Sequence, residues 1–348
     1  MRILKLLLSL IAFIVVSCSQ GEDTSIVYGD RIEVKLGMNG DLNVSSDQET
    51  RASADNGIYG INVYFDKEKD GKTNDIYAFG VFDNVESMTI TLLSGYKYRF
   101  ACTFAKNGPH SLYYGQYDGN SYMGYAKPFQ TNKHSSTQLG NKFVYSNSTG
   151  EYLSGITSGE AILISQSTGG PTTNAFPHPR INRYYGELDS YTPVTGGVAT
   201  IPLKKTCFGL KLIIKGVPEG TLSANVKLSS DGDVLASYST TTNDVIGGGS
   251  IYSFKDVYGC AMNNLNAAAA VVTWTYTSSK FSQWNLSGTN NITLKRNVLT
   301  TVTVSVTPDS ASGSISVTEE EFGGENTINM GINTDGLIDI IVNPEPED

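Results

Sequence analysis

The chain has 348 residues with 25 Lys+Arg against 34 Asp+Glu, a formal charge of −9 that becomes −11 once residues 1–17, which carry Arg2 and Lys5, are removed. No Lys/Arg cluster of useful length is present, which excludes nucleic acid as a partner, because a polyanion demands a basic face. The length suffices for two domains with their own cores, and Gly 36 and Tyr 20 among abundant Thr, Ser and Val predict an all-β chain with little helix.

Arg2 and Lys5 precede an apolar stretch from Leu6 to Ile14, which Val15-Val16-Ser17-Cys18 closes. A basic start, a short apolar core and a small residue at the cut define a secretory signal too short to span a bilayer as a mature helix. A cysteine just after the cut supplies the thiol that takes a diacylglycerol. Residues 1–17 are therefore expected to be a lipoprotein signal peptide, with lipidation at Cys18. Glu22 and Asp23 then follow, either in a solvated linker or in a tether resembling the acidic one that sends lipoproteins of the Bacteroides group to the cell surface.

Residues 31–38 alternate throughout, with Ile32, Val34, Leu36 and Met38 on one face and Arg31, Glu33, Lys35 and Gly37 on the other, which predicts a half-buried strand. A polar stretch from Asn39 to Thr50 leads to Arg51, and Tyr59, Ile61, Val63 and Phe65 open a new alternating run. Met88, Ile90 and Leu92 alternate into a Ser94-Gly95 turn, and Tyr96, Tyr98, Phe100, Cys102 and Phe104 alternate out of it, which predicts a hairpin. Residues 107–160 read as long loops with short strands, and Ala161-Ile162-Leu163-Ile164 as a short buried strand.

A second organisation begins near Gly196-Gly197. Leu210, Leu212 and Ile214 alternate with Lys211 and Lys215; Val226 and Leu228 follow a Pro-Glu-Gly turn. Val272, Trp274 and Tyr276 oppose Val271, Thr273 and Thr275, and Val302, Val304 and Val306 alternate with Thr and Ser. Short strands between turn signals predict a sandwich in each half, over 52–195 and 196–348, with 18–51 as tether and first strand.

Catalytic and metal-binding patterns are missing from the sequence. His110, His134 and His178 stand far apart and at no ligand-like spacing from one another or from a Cys, so neither metal nor cofactor is expected. No Gly-x-Ser-x-Gly elbow or phosphate loop opens a helix, Gly247-Gly248-Gly249 reads as a flexible loop, and the acidic pair Glu187 and Asp189 is what any acidic loop offers. The chain is read as no enzyme. Cys102, Cys207 and Cys260 make an odd set in the mature chain, so at least one is a free thiol; Cys102 fits a buried strand face, and a Cys207–Cys260 bridge stays open. Tyr113-Tyr114, Tyr117, Tyr122 and Tyr125, interleaved with Gly and Asn, either stack on sugar rings or pave half-buried surfaces.

The ordered set formed by Cys18, Thr50-Arg51-Ala52, Ser94-Gly95-Tyr96 running into Tyr98-Arg99-Phe100, Ile201-Pro202-Leu203-Lys204-Lys205 and Leu294-Lys295-Arg296-Asn297-Val298 resembles the fimbrillin family, the type V pilins of the Bacteroides group. The resemblance spans nearly the whole chain. It implies two sandwich domains of transthyretin-like or Ig-like type, export to the cell outer membrane as a surface lipoprotein, and a cut by an arginine-specific protease between Arg51 and Ala52. Removal of the first strand, with Ile32, Val34, Leu36 and Met38, would leave a groove that a strand of another pilin subunit fills, giving a fimbrium that serves cell adhesion. The candidate donor lies in residues 337–342, where Ile338, Ile340 and Val342 share a face before Pro344; the other reading pairs this tail within its own domain. Asp309-Ser310-Ala311 also resembles the three-residue O-glycosylation site of this group. The alternative function is a surface glycan-binding lipoprotein that keeps its lipid, and shaft, tip and anchor roles stay open, as does the surface ligand.

Overall fold

Strand-forming alternation governs the computed structural model, which describes residues 29–42, 57–106, 112–118, 121–126, 129–131, 139–146, 150–157, 163–164, 180–215, 220–241, 245–278, 285–307, 312–321 and 337–338. The strands run β1 (Arg31–Gly40), β2 (Gly57–Phe65), β3 (Asp75–Phe82), β4 (Thr89–Leu93), β5 (Tyr98–Lys106), β6 (Leu112–Asp118), β7 (Ser121–Ala126), β8 (Gln130–Thr131), β9 (Lys142–Tyr145), β10 (Leu153–Ser154), β11 (Leu163–Ile164), β12 (Asn182–Tyr191) and β13 (Val198–Lys205). They continue as β14 (Cys207–Lys215), β15 (Gly220–Leu228), β16 (Val234–Thr240) and β17 (Val245–Ser253), then the short helix α1 (Val257–Met262). After it come β18 (Ala267–Ser278), β19 (Asn285–Lys295), β20 (Val298–Thr307), β21 (Ser312–Glu321) and β22 (Leu337–Ile338).

The first sheet has eight strands in the order β4-β1-β13-β12-β5-β2-β3-β9. Its β12–β13 joint is only two residue pairs long, Tyr184 with Lys205 and Tyr185 with Lys204, and there the sheet turns a corner. Strands β4, β1 and β13 thus lie over β5, β2 and β3, and one apolar core fills the space with Val34, Ile90 and Ile201 from one side and Ile61, Phe100 and Phe104 from the other. The sheet nearly closes on itself, because the Tyr77 hydroxyl of β3 donates to the Thr91 carbonyl at 2.8 Å and the Tyr145 hydroxyl of β9 accepts from the Thr91 N–H at 3.0 Å.

The change of sheet falls at Thr206, one strand beyond the Gly196-Gly197 turn, since β13 still pairs with β1 and β12. Beyond it, the sheets β21-β20-β14-β17-β22 and β16-β15-β18-β19 enclose a second core built from Leu212, Val226, Val272, Trp274 and Val304. The fold is an all-β sandwich arrangement. Every predicted alternation in this half, in β14, β15, β18 and β20, carries its apolar members inward.

Two local expectations are corrected, the Ser94-Gly95 hairpin and the Gly247-Gly248-Gly249 loop. The runs flanking Ser94-Gly95 are not a hairpin: β4 pairs with β1, and β5 pairs with β2 and β12, so the turn carries the chain from one side of the core to the other. Strands β2 and β5 are buried on both faces, because Ile58, Ala101 and Ala105 join a further apolar cluster with Phe129, Leu153 and Ala261 on the outside of the sheet. Gly247-Gly248-Gly249 is no loop but the middle of β17, in register with Ile213, Leu212 and Lys211. A Cβ on Gly247 would stand 2.3 Å from the Leu212 carbonyl oxygen, so this glycine serves close backbone approach, and one on Gly248 would stand 2.2 Å from the Tyr238 hydroxyl, so that glycine makes room for the tyrosine side chain. Of the predicted strand at 161–164, Leu163–Ile164 form β11 and the other two lie outside the described residues.

Arg183 ties the outer cover to the sheet. Fully buried, it donates from Nε to Thr103 Oγ1 at 3.0 Å and from Nη2 to the carbonyls of Gly155 and Ile156 at 3.1 and 3.0 Å; burial draws its pKa down to about 9. Beside it, Gly186 of β12 lets β13 pass, since an added Cβ would sit 1.9 Å from the Pro202 carbonyl oxygen. Gly186→Ala is expected to destabilise the chain by about 1–3 kcal/mol, the usual cost of overpacking, read as a lowered urea midpoint at unchanged slope.

Candidate functional site at the first strand

Strand β1 is a central strand. It pairs antiparallel with β4, from Arg31 opposite Leu93 to Lys35 opposite Thr89, and parallel with β13, from Lys35 beside Val198 to Gly40 beside Leu203. Its alternation does what the sequence predicts: Val34, Leu36 and Met38 are buried, Ile32 is half-buried, and Arg31, Glu33 and Lys35 face solvent. The residues on either side of β4 continue the ladder, with Ser94 N–H donating to Asp30 O at 2.9 Å and Leu36 N–H to Met88 O at 2.8 Å.

Asp41 fastens the far end. Its N–H donates to Leu203 O at 2.8 Å, and its Oδ2 accepts from Lys205 N–H at 2.9 Å and from Arg296 Nη1 at 3.1 Å. Leu42 beside it is fully buried. Arg296 stands in the turn between β19 and β20, so the segment that holds β1 also touches the second sheet system. Sequence reasoning missed Asp41. Its partners lie 164 and 255 residues away, and only the Gly40-Asp41 turn signal marked the position.

Lifting β1 out would uncover a trough walled along residues 31–35 by β4, with Ile90 and Leu92, and along residues 35–40 by β13, with Ala199, Ile201 and Leu203, all buried, each wall bearing the backbone N–H and C=O groups that now pair with β1. Of the candidate donor, Leu337 and Ile338 pair antiparallel with Ser250 and Gly249 of β17 in this structure; Ile340 and Val342 lie outside the described residues. Cys18, Arg51, Ala52, the three histidines and Asp309-Ser310-Ala311 lie outside them as well. Tyr113, Tyr114 and Tyr117 are on β6 and Tyr122 and Tyr125 on β7, which pair antiparallel with Tyr117 opposite Tyr122.

The acidic pair is occupied by structure. Arg99 Nη1 donates to both oxygens of Glu187 at 3.2 Å, the Tyr185 hydroxyl donates to Glu187 Oε1, and Asp189 Oδ1 accepts from Thr73 Oγ1 at 3.2 Å and from Ser190 N–H at 2.8 Å. Cys102, Cys207 and Cys260 are free and buried, and burial raises all three thiol pKa values, that of Cys260 to about 12. No group of three His, Cys, Asp or Glu that could hold a metal ion occurs among the described residues. No helix among the described residues is long and apolar enough to cross a membrane.

No family model and no curated protein matches the chain. Similar solved structures include a putative cell adhesion protein from Bacteroides eggerthii, at 9% identity and TM-score 0.38, over 84% of this chain and 97% of that one. The tip fimbrial protein Mfa3 from Porphyromonas gingivalis, with C-terminal truncation, matches at 8% identity and TM-score 0.33, over 84% of this chain and 100% of that one. The fimbrial anchor protein Mfa2 of the same organism matches at 8% identity and TM-score 0.32, over 84% and 98%. At such identities and scores these likenesses carry no weight for function.

Because β1 fills a core position, Leu36→Ala should cost the uncut chain about 2–5 kcal/mol, the range for emptying a buried leucine site. Lys35→Ala on the exposed face should stay within about 0.5 kcal/mol. Paired urea unfolding curves measure both, and equal losses would show that β1 does not pack as described.

Proposed function

We propose that the chain is a structural subunit of a type V pilus that is exported as a lipoprotein on Cys18, cut between Arg51 and Ala52, and polymerised by strand exchange into the slot of β1, in the service of cell adhesion. The placement of β1 is the observation that supports this most. A strand joined to the rest of the chain through the polar stretch before Arg51 sits between two others in the sheet, paired with β4 over residues 31–35 and with β13 over residues 35–40, so its loss opens a groove with one hydrogen-bonding wall along each half, on opposite sides. In this reading the two sandwich halves are transthyretin-like domains, and the partners are other pilin subunits, an arginine-specific protease and, before the cut, the outer membrane through the lipid.

A donor bearing Ile338, Ile340 and Val342 would place three side chains where Val34, Leu36 and Met38 now lie, at about 1.5–3 kcal/mol each as an upper bound. Two residue pairs with β17 would first be given up, a small loss beside a full ladder. Part of the gain goes to ordering the tail and fixing two subunits together.

The N-terminus of the protein recovered from cells tests the reading. A processed pilin begins at Ala52, whereas a permanently anchored glycan binder begins at lipidated Cys18; recovery of Cys18 alone from assembled surface fibres would sink the processing step. Chains lacking residues 337–348 are expected to be trimmed and folded yet to form no ladder on unheated gels. Fibres of normal length from that deletion would remove the tail as donor.

A further inference from the structure

Among the described residues, strand β4 has one strand neighbour, β1. In an antiparallel ladder successive residues turn their N–H and C=O to opposite edges. Ile90 and Leu92, opposite Val34 and Ile32, share the edge on which Met88 O and Ser94 N–H bond the β1 segment, so Thr91 and Leu93 turn the other way. That outer edge is met by tyrosine hydroxyls instead of a strand. Thr91 O accepts from the Tyr77 hydroxyl at 2.8 Å, Thr91 N–H donates to the Tyr145 hydroxyl at 3.0 Å, and Leu93 N–H donates to the Tyr98 hydroxyl at 2.8 Å, which returns a bond to Leu93 O at 3.2 Å.

The three rings come from β3, β9 and β5, on the opposite side of the core, and hold one another. Tyr77 meets Tyr98 edge-on at 5.2 Å and Tyr145 at 5.6 Å. Tyr98 is fully buried and Tyr77 half-buried, and burial raises both hydroxyl pKa values, that of Tyr77 to about 12, so both stay protonated hydrogen-bonding groups at any ordinary pH.

We infer that Tyr77, Tyr98 and Tyr145 form a clasp that keeps β4 in place when β1 leaves, so that the vacated slot persists as a two-walled template for the incoming strand. The role rests on the strand-exchange reading, but the clasp itself does not. Without it, β4 would keep only Met88, Ile90 and Leu92 in the core after losing its sole ladder, and the groove would have one wall, β13. The clasp residues are positioning residues: they touch neither the leaving strand nor the arriving one through the bonds described, but the far edge of the strand both must pair with.

The test uses the full mature chain with the recognition sequence of a site-specific protease inserted between Ser46 and Asp47, so that the cut does not depend on Arg51. After the cut, β1 is displaced with mild denaturant, and two quantities are read. One is hydrogen exchange of residues 88–96, and the other is rebinding of a fluorescent peptide of residues 29–42. Variants are Tyr145→Phe, Tyr98→Phe, and both with Tyr77→Phe, which keep the rings and remove only hydroxyls. In the cut chain each lost hydroxyl should speed exchange of residues 88–96 about fivefold and slow peptide rebinding, with little change in uncut chains, where β1 also holds β4. Tyr145→Phe, at a half-exposed ring, serves if the triple variant does not fold. Equal exchange in cut wild-type and variant chains would overturn the clasp. Protected residues 88–96 in a cut chain that never rebinds the peptide would leave the clasp standing and remove strand exchange.

Discussion

The whole first half depends on β1 lying between β4 and β13. An eight-stranded sheet can fold back over its own core only if its short limb is wide enough to cover it, and that limb consists of β4, β1 and β13. With β1 present, Val34, Leu36 and Met38 complete an apolar layer that β2, β3 and β5 build from the opposite side. The corner between the limbs, at β12 and β13, is held by only two residue pairs. Core contact, more than continuous hydrogen bonding, therefore keeps the limbs together.

The sequence was legible where one face of a strand meets the core and the other meets water. The alternation of Ile32 to Met38, Leu210 to Ile214 and Val302 to Val306 appears in the structure as read, because a period of two has no other stable use. It was misleading where both faces are covered. Ala101, Thr103 and Ala105 look like the solvent side of β5, yet Arg183 bonds Thr103, and Phe129, Leu153 and Ile156 join Ala101 and Ala105 in a buried cluster. Ser94-Gly95 was recognisable as a turn, Gly95 having φ +77, but a turn says nothing about which sheet the chain enters next.

The site was half legible for the same reason. Val34, Leu36 and Met38 declare themselves by pattern. Asp41 and the tyrosine hydroxyls act through partners set by the topology of the sheet, and no local rule connects Tyr145 with Thr91, 54 residues away. The edge of β21 is treated differently: apart from Ile315, which is half-buried against the second core, its residues are exposed, and Glu319, Glu320 and Glu321 stand along it, with Lys295 pairing Glu319 at 2.6 Å. Charge discourages pairing there, as in many natural edge strands.

The parallel pairing of β1 with β13 also sets an order of events during synthesis. Leu36 finds its neighbour Ala199 only after about 160 further residues have been made, roughly 10–30 s at ordinary elongation rates. Through that interval Ile32 and Val34 have only Leu92 and Ile90 of β4 opposite them, and Leu36 and Met38 have no β13 beside them. The nascent chain must therefore be kept from pairing with its neighbours for longer than a local hairpin would need, and anything that binds extended apolar segments has its first target at residues 31–40.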